Sequence, residues 1–157
     1  MRKKIVSREM QAVSPIEQIW LDIDRLAQIE FSSENPAYPI ENALLPSTGS
    51  DWQAAEPGEQ IIRLLFDAPI RLSRIRLVFN ETQRVRTQEF VLRWSPDGGQ
   101  SNQEVVRQQY NFSPPDSTRE VEDYTVHLDQ LTALELSIVP DISGGEARAS
   151  LTSWQLA

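Results

Sequence analysis

Residues 86–99 read RTQEFVLRWSPDGG, and this stretch decides the fold class. From 88 to 94 the residue character alternates, which turns Phe90, Leu92 and Trp94 to one face of an extended chain. Ser95-Pro96-Asp97-Gly98-Gly99 then stops the strand with a strong turn signal. The pattern repeats on both sides. Residues 61–66 end at Asp67-Ala68-Pro69, and 72–79 follow with a phase slip between Leu72 and Ile75 of the kind a bulge makes. Downstream come strands at 104–109, at 121–128 with Tyr124, Val126 and Leu128 on one face, at 133–139 with Leu134, Leu136 and Ile138 inward, and at 147–156. Upstream, Ala27, Ile29 and Phe31 alternate with Gln28 and Glu30. About eight short strands with no helical pattern between them predict an all-β fold, an antiparallel jelly-roll β-sandwich.

Two segments break this grammar. Ser14, Pro15 and Glu17 fit a helix start, with Ile16, Ile19, Trp20 and Ile23 at helical spacing, so a short N-terminal helix is expected over 14–26. Residues 32–60 hold Pro36, Pro39, Pro46, Gly49, Pro57 and Gly58 and read as loop, with one helical turn at 40–44. The division expected is an N-terminal tail at 1–13 and a single domain at 14–157.

At 157 residues the chain is long enough for one core. Its net charge of -8, with arginines scattered among carboxylates, disfavours nucleic acid and anionic membranes, which need a basic stripe. It has no cysteine, which excludes disulfide and thiolate chemistry. The opening MRKKIVSREMQAV is basic like a signal peptide, but Ser7, Arg8, Glu9 and Gln11 follow where an apolar stretch of about 7 to 15 residues belongs. The expectation is a cytoplasmic protein. No run approaches the roughly 20 apolar residues of a membrane helix.

Antiparallel strands send their loops alternately to two ends of a sandwich. Loops 32–60, 80–86, 110–118 and 140–146 then share one end, here end B, while the turns at 67–69, 95–100 and 129–130 share end A. The longer loops, where binding residues tend to sit, gather at end B. They carry Tyr38, Asn80, Arg84, Arg86, Tyr110, Asn111, Phe112 and Arg119. Aromatic faces stack on sugar rings while Arg and Asn donate to hydroxyls, so Tyr38, Asn80, Arg84, Arg86, Tyr110 and Phe112 form the candidate ligand-binding set. A plainer reading stands beside it: Tyr110 and Phe112 cover the core edge, and the arginines pair with Glu81 and Asp116.

Catalysis finds little material. His127 is the sole histidine and lies mid-strand with no nucleophile motif beside it. Asp22 with Asp24, and Glu120 with Glu122 and Asp123, are read as solvated acidic faces and not as a glycosidase pair. Gly98-Gly99 and Gly144-Gly145 open no helix and carry no lysine, so they are not phosphate loops.

The order FSSENP, IENALLPSTGSDW, RTQEFVLRWSPDGG and SGGEARASLTSWQLA resembles the discoidin or coagulation-factor F5/8 type C family of galactose-binding-like β-sandwiches, from about Leu26 onward. The matching positions are Ala43-Leu44 and a turn before a tryptophan, Trp52, and Trp94-Ser95-Pro96-Asp97-Gly98. The resemblance implies a non-catalytic module that binds carbohydrate, with Trp52 and Trp94 as structural core residues; an exposed Trp52 that stacks on sugar is the rival. It also implies a structural calcium in many members. Here Leu45 and Pro46 stand where its aspartate and glycine would be, Ser50 replaces a threonine, and Ser153 stands near a late carboxylate. No metal or other cofactor is therefore expected, with Asp51, Glu56 or backbone oxygens as the substitute ligands, and chelation should leave stability unchanged. The alternative function is a protein-interaction scaffold, docking through Val78, Val91 and Val139 on an outward sheet face.

Overall fold

In the computed structural model, residues 19–45 and 49–157 are described. The strand read at 88–94 is β4, Arg86–Ser95. Its inward residues Phe90 and Leu92 are fully buried, while Trp94 is half-buried against the core edge. In chain order the elements are α1 (Ile23–Leu26), β1 (Ala27–Phe31), α2 (Glu41–Leu44), β2 (Trp52–Pro57), β3 (Gln60–Asn80), β4, β5 (Gln103–Phe112), β6 (Arg119–Val139), β7 (Arg148–Leu151) and β8 (Ser153–Leu156). All strand pairs among them are antiparallel.

Two strands are twice the expected length. The predicted pairs 61–66 with 72–79, and 121–128 with 133–139, are each one continuous strand, β3 and β6, which pair along their whole length from Gln60↔Ile138 to Asn80↔Arg119. Register shifts between Leu65 and Arg74 bend this long two-stranded ribbon around Pro69, a place where the missing N–H costs the ladder little. The ribbon folds over on itself. Its first half joins β1, β4 and β5 in one layer, and its second half takes β8 at its edge. Phe79 stacks on Phe90 at 5.3 Å between ring centroids, and Gln88 Nε2 donates to Glu120 Oε1 across the same gap. Both ends of the ribbon therefore lie together, so the alternation of loops between two ends holds. The result is an antiparallel β-sandwich with leucine, isoleucine and phenylalanine between its layers.

Several expectations are corrected. The helix expected over 14–26 starts outside the described residues, and only Ile23–Leu26 is helical. Leu21 N–H donates instead to Leu156 O, which ties this stretch to β8 in extended form. The loop 32–60 contains a strand, β2, paired with β7. The strand predicted at 147–156 breaks at Thr152, whose N–H bonds Val78 O, so β7 and β8 join different sheets. Val78 and Val91 are not outward patches: they are 1% and 5% exposed, each on a strand flanked on both sides by paired neighbours. Val139 is half-buried. None of these three valines offers an exposed face for docking.

Trp52 is fully buried. Its Nε1–H donates to Ser33 O at 3.0 Å, and Asn42 Nδ2 donates to Asp51 O beside it. The long loop is thus pinned to the core at its indole, which excludes the exposed stacking role. Burial of such a ring contributes on the order of 2–3 kcal/mol. Trp154, fully buried as well, is the second indole of this core.

Candidate functional site

End B is built around an arginine that faces inward. Arg86 opens β4 and is only 3% exposed. Its Nε donates to Glu81 Oε1 at 2.7 Å, its Nη1 to Pro140 O at 2.8 Å and Gln88 Oε1 at 3.2 Å, and its Cζ lies 4.7 Å from the centre of the Phe112 ring. Glu81 in turn accepts from the N–H groups of Gln83 and Arg84 through Oε2 and donates its own N–H to Thr118 O. One buried ion pair therefore holds together the loops at 81–85, 113–118 and 140–147. Burial opposes ionisation of Glu81, but the Arg86 guanidinium and those two N–H groups outweigh it and keep the carboxyl below its ordinary range.

The candidate binding residues separate accordingly. Phe112 is fully buried at the end of β5. Tyr110 packs edge-on against it at 5.0 Å, and its hydroxyl is taken by Arg119 O and Ser117 Oγ. Arg86, Tyr110 and Phe112 thus hold the loops from beneath. Tyr38, Asn80 and Arg84 instead line a common groove of about 550 Å³. Tyr38 is fixed there by backbone bonds between the turn at Asn35 and β2, with Gln53 N–H to Tyr38 O at 3.1 Å and Asn35 N–H to Gln53 O at 2.8 Å. Asn80 Nδ2 donates to Thr152 Oγ1.

Sequence reasoning missed the other wall of this groove, which comes from Gln53, Gln83, Arg148 and Ser150. Arg148 follows the loop already placed at end B, so reading that loop two residues further would have found it. Its Nη1 donates to Ala55 O.

A neighbouring recess of about 670 Å³ shares Asp51 and Asn80 with the groove and reaches Trp20, Ala43 and Thr152. Burial raises the Asp51 carboxyl above its ordinary value, against a hydrogen bond with Thr152. Glu56, the other substitute calcium ligand, is exposed on β2 and lines neither cavity. Among the described residues no group of three or more His, Cys, Asp or Glu gathers to hold a metal.

The acidic run on β6 departs from expectation. Glu120 is 1% exposed and shares the inward face with Tyr124 and Val126. Burial, followed by a shared proton and charge repulsion with Glu122, pushes its carboxyl up to about 9. Burial and these two carboxyls also raise the Tyr124 hydroxyl. His127 is exposed.

No protein-family model matches the chain, and comparison with curated proteins gives no match. Solved structures do match. The family 32 carbohydrate-binding module of AlyQ, in complex with 4,5-unsaturated mannuronic acid, is 15% identical, with 89% of this chain and 98% of that chain covered at a TM-score of 0.63. A pectin-binding carbohydrate-binding module is 16% identical, with 83% and 89% covered and a TM-score of 0.59. The family 32 module of NanJ from C. perfringens, in complex with galactose, is 11% identical, with 87% and 96% covered and a TM-score of 0.60. The fold is that of the discoidin or galactose-binding-like β-sandwich.

Proposed function

We propose that the chain is a non-catalytic carbohydrate-binding module whose ligand sits in the end-B groove, against Tyr38, Asn80 and Arg84. The observation that carries this reading is the groove itself: an open, polar depression at the loop end of a sandwich, walled by one aromatic ring and several amide and guanidinium donors. That is the mixture a sugar requires, with a face for the ring and donors for its hydroxyls. The named complexes of similar fold with mannuronic acid and galactose support it. The scaffold reading loses its basis with Val78 and Val91 buried.

A glycan array followed by calorimetry tests the function. Binding to at least one glycan is expected, with Arg84→Ala lowering affinity about tenfold or more, since a hydrogen bond from a charged donor is worth about 1.5–3 kcal/mol, and with Tyr38→Ala lowering it through loss of the ring face. A silent array, or variants that bind as well as the parent chain, would contradict it.

A further inference from the structure

Resting on the carbohydrate reading above, we infer that the groove takes a sugar residue bearing a carboxylate, a uronate, and that Arg84 and Arg148 hold this group. The arginines of this chain differ in whether a carboxylate of the protein meets them. Arg63, Arg71, Arg74, Arg86, Arg93 and Arg107 each meet a carboxylate of the protein within 4.0 Å. Arg84 does not. Its side chain is exposed and makes no hydrogen bond or ion pair among the described residues, although its backbone N–H is fixed by Glu81. Arg148, also exposed, gives one guanidinium N–H to the neutral carbonyl of Ala55 and has no carboxylate partner. Both line the same groove.

The groove also contains three carboxyls, and they decide whether the two positive charges are available. Glu81 is cancelled by buried Arg86 at 2.7 Å and directs its other oxygen to two backbone N–H groups. Asp51 is half-buried and engaged by the Thr152 hydroxyl. Glu146 alone is exposed and uncommitted. Two exposed guanidinium groups therefore share the groove with one exposed, uncommitted carboxylate. The overall negative field is screened within about 8 Å at physiological ionic strength, so local groups govern recognition. A guanidinium presents a planar fork of donors that matches a carboxylate in bidentate fashion, which a neutral hydroxymethyl group cannot exploit.

The test uses matched pairs that differ only at this group: methyl glycosides of galacturonate, glucuronate and mannuronate, each beside its neutral hexose counterpart, titrated by calorimetry or NMR into the full chain. At least one uronoside should bind about tenfold more tightly than its hexoside. Arg84→Gln and Arg148→Gln, both at exposed positions, should bring that ratio close to one. Hexosides that bind as tightly as or more tightly than every uronoside, or a ratio untouched in both variants, would overturn the inference and leave the carbohydrate reading in place. If no member of any pair binds and the glycan array is also silent, the carbohydrate reading itself falls.

Discussion

The two ends of the sandwich solve the same problem differently. At end A the chain turns between β4 and β5 and consumes its own polar groups: Ser95 Oγ and Asp97 accept from Asp97, Gly99 and Ser101, and Gly98 N–H donates to Thr132 Oγ1. Gly98 and Gly99 have φ of 73° and 99°, a region L-residues rarely adopt, so the turn depends on glycine. At end B the satisfying groups lie below the surface, in Arg86, Glu81 and Tyr110, and the upper faces of the loops keep Arg84, Gln83 and Arg148 turned to solvent. A turn that closes on itself leaves nothing to offer a ligand. Loops held from beneath can be rigid and still have free donors, which is what binding without a large ordering cost requires.

The largest effect that sharpens this contrast lies in the two tryptophans leading to the two ends. Trp52→Ala, which removes the fully buried anchor of the end-B loop, should cost about 3–5 kcal/mol in urea unfolding. Trp94→Ala, at a half-buried position before the end-A turn, should cost on the order of 1–3 kcal/mol. Equal losses, or an unchanged melting temperature for Trp52→Ala, would deny Trp52 its anchoring role.

Next in size is the buried acid beneath end B. The carboxyl of Glu120 is raised above its unfolded value, so its favourable contribution is complete below about pH 4.5 and is lost as pH rises toward about 9. Glu120→Gln should match the parent chain near pH 4 and exceed it by on the order of 1–2 kcal/mol at pH 8. A variant less stable at both values would mean that Glu120 is ionised and paired in the fold.

The smallest effect belongs to Asp97. Its hydrogen bonds from Ser95 and then Ser101 lower its carboxyl to about 2, so the stability it lends the turn is present above its ordinary range and disappears as pH falls through about 2. Asp97→Ala should be slightly less stable than the parent at pH 6, converge with it below pH 2, and leave any ligand affinity unchanged. A loss of affinity would shift attention to end A.

Most of the fold was legible because its signals are local. SPDGG forces a turn whatever surrounds it, and the alternations around Phe90, Val126 and Leu136 report buried faces directly. The continuity of β3 and β6 was hidden because Asp67-Ala68-Pro69 looks the same whether a strand ends there or bends. WQAAEP lacks the β-branched residues that announce a strand, and β2 forms through its pairing with β7. The site was half legible for a related reason. Sequence places Arg84 and Arg86 in one loop, but only the packing of Phe112 and the reach of Glu81 show which guanidinium turns inward. Charge argued for an exposed Glu120 too, although its face is the one already assigned to Tyr124 and Val126.

Chemical-shift mapping of the full chain with its best-binding glycan tests the central claim most directly. The account predicts perturbed amides at Tyr38, Gln53, 80–84 and 146–150, with 95–101 unmoved. Perturbations centred on 95–101, or spread across a sheet face away from the groove, would contradict it.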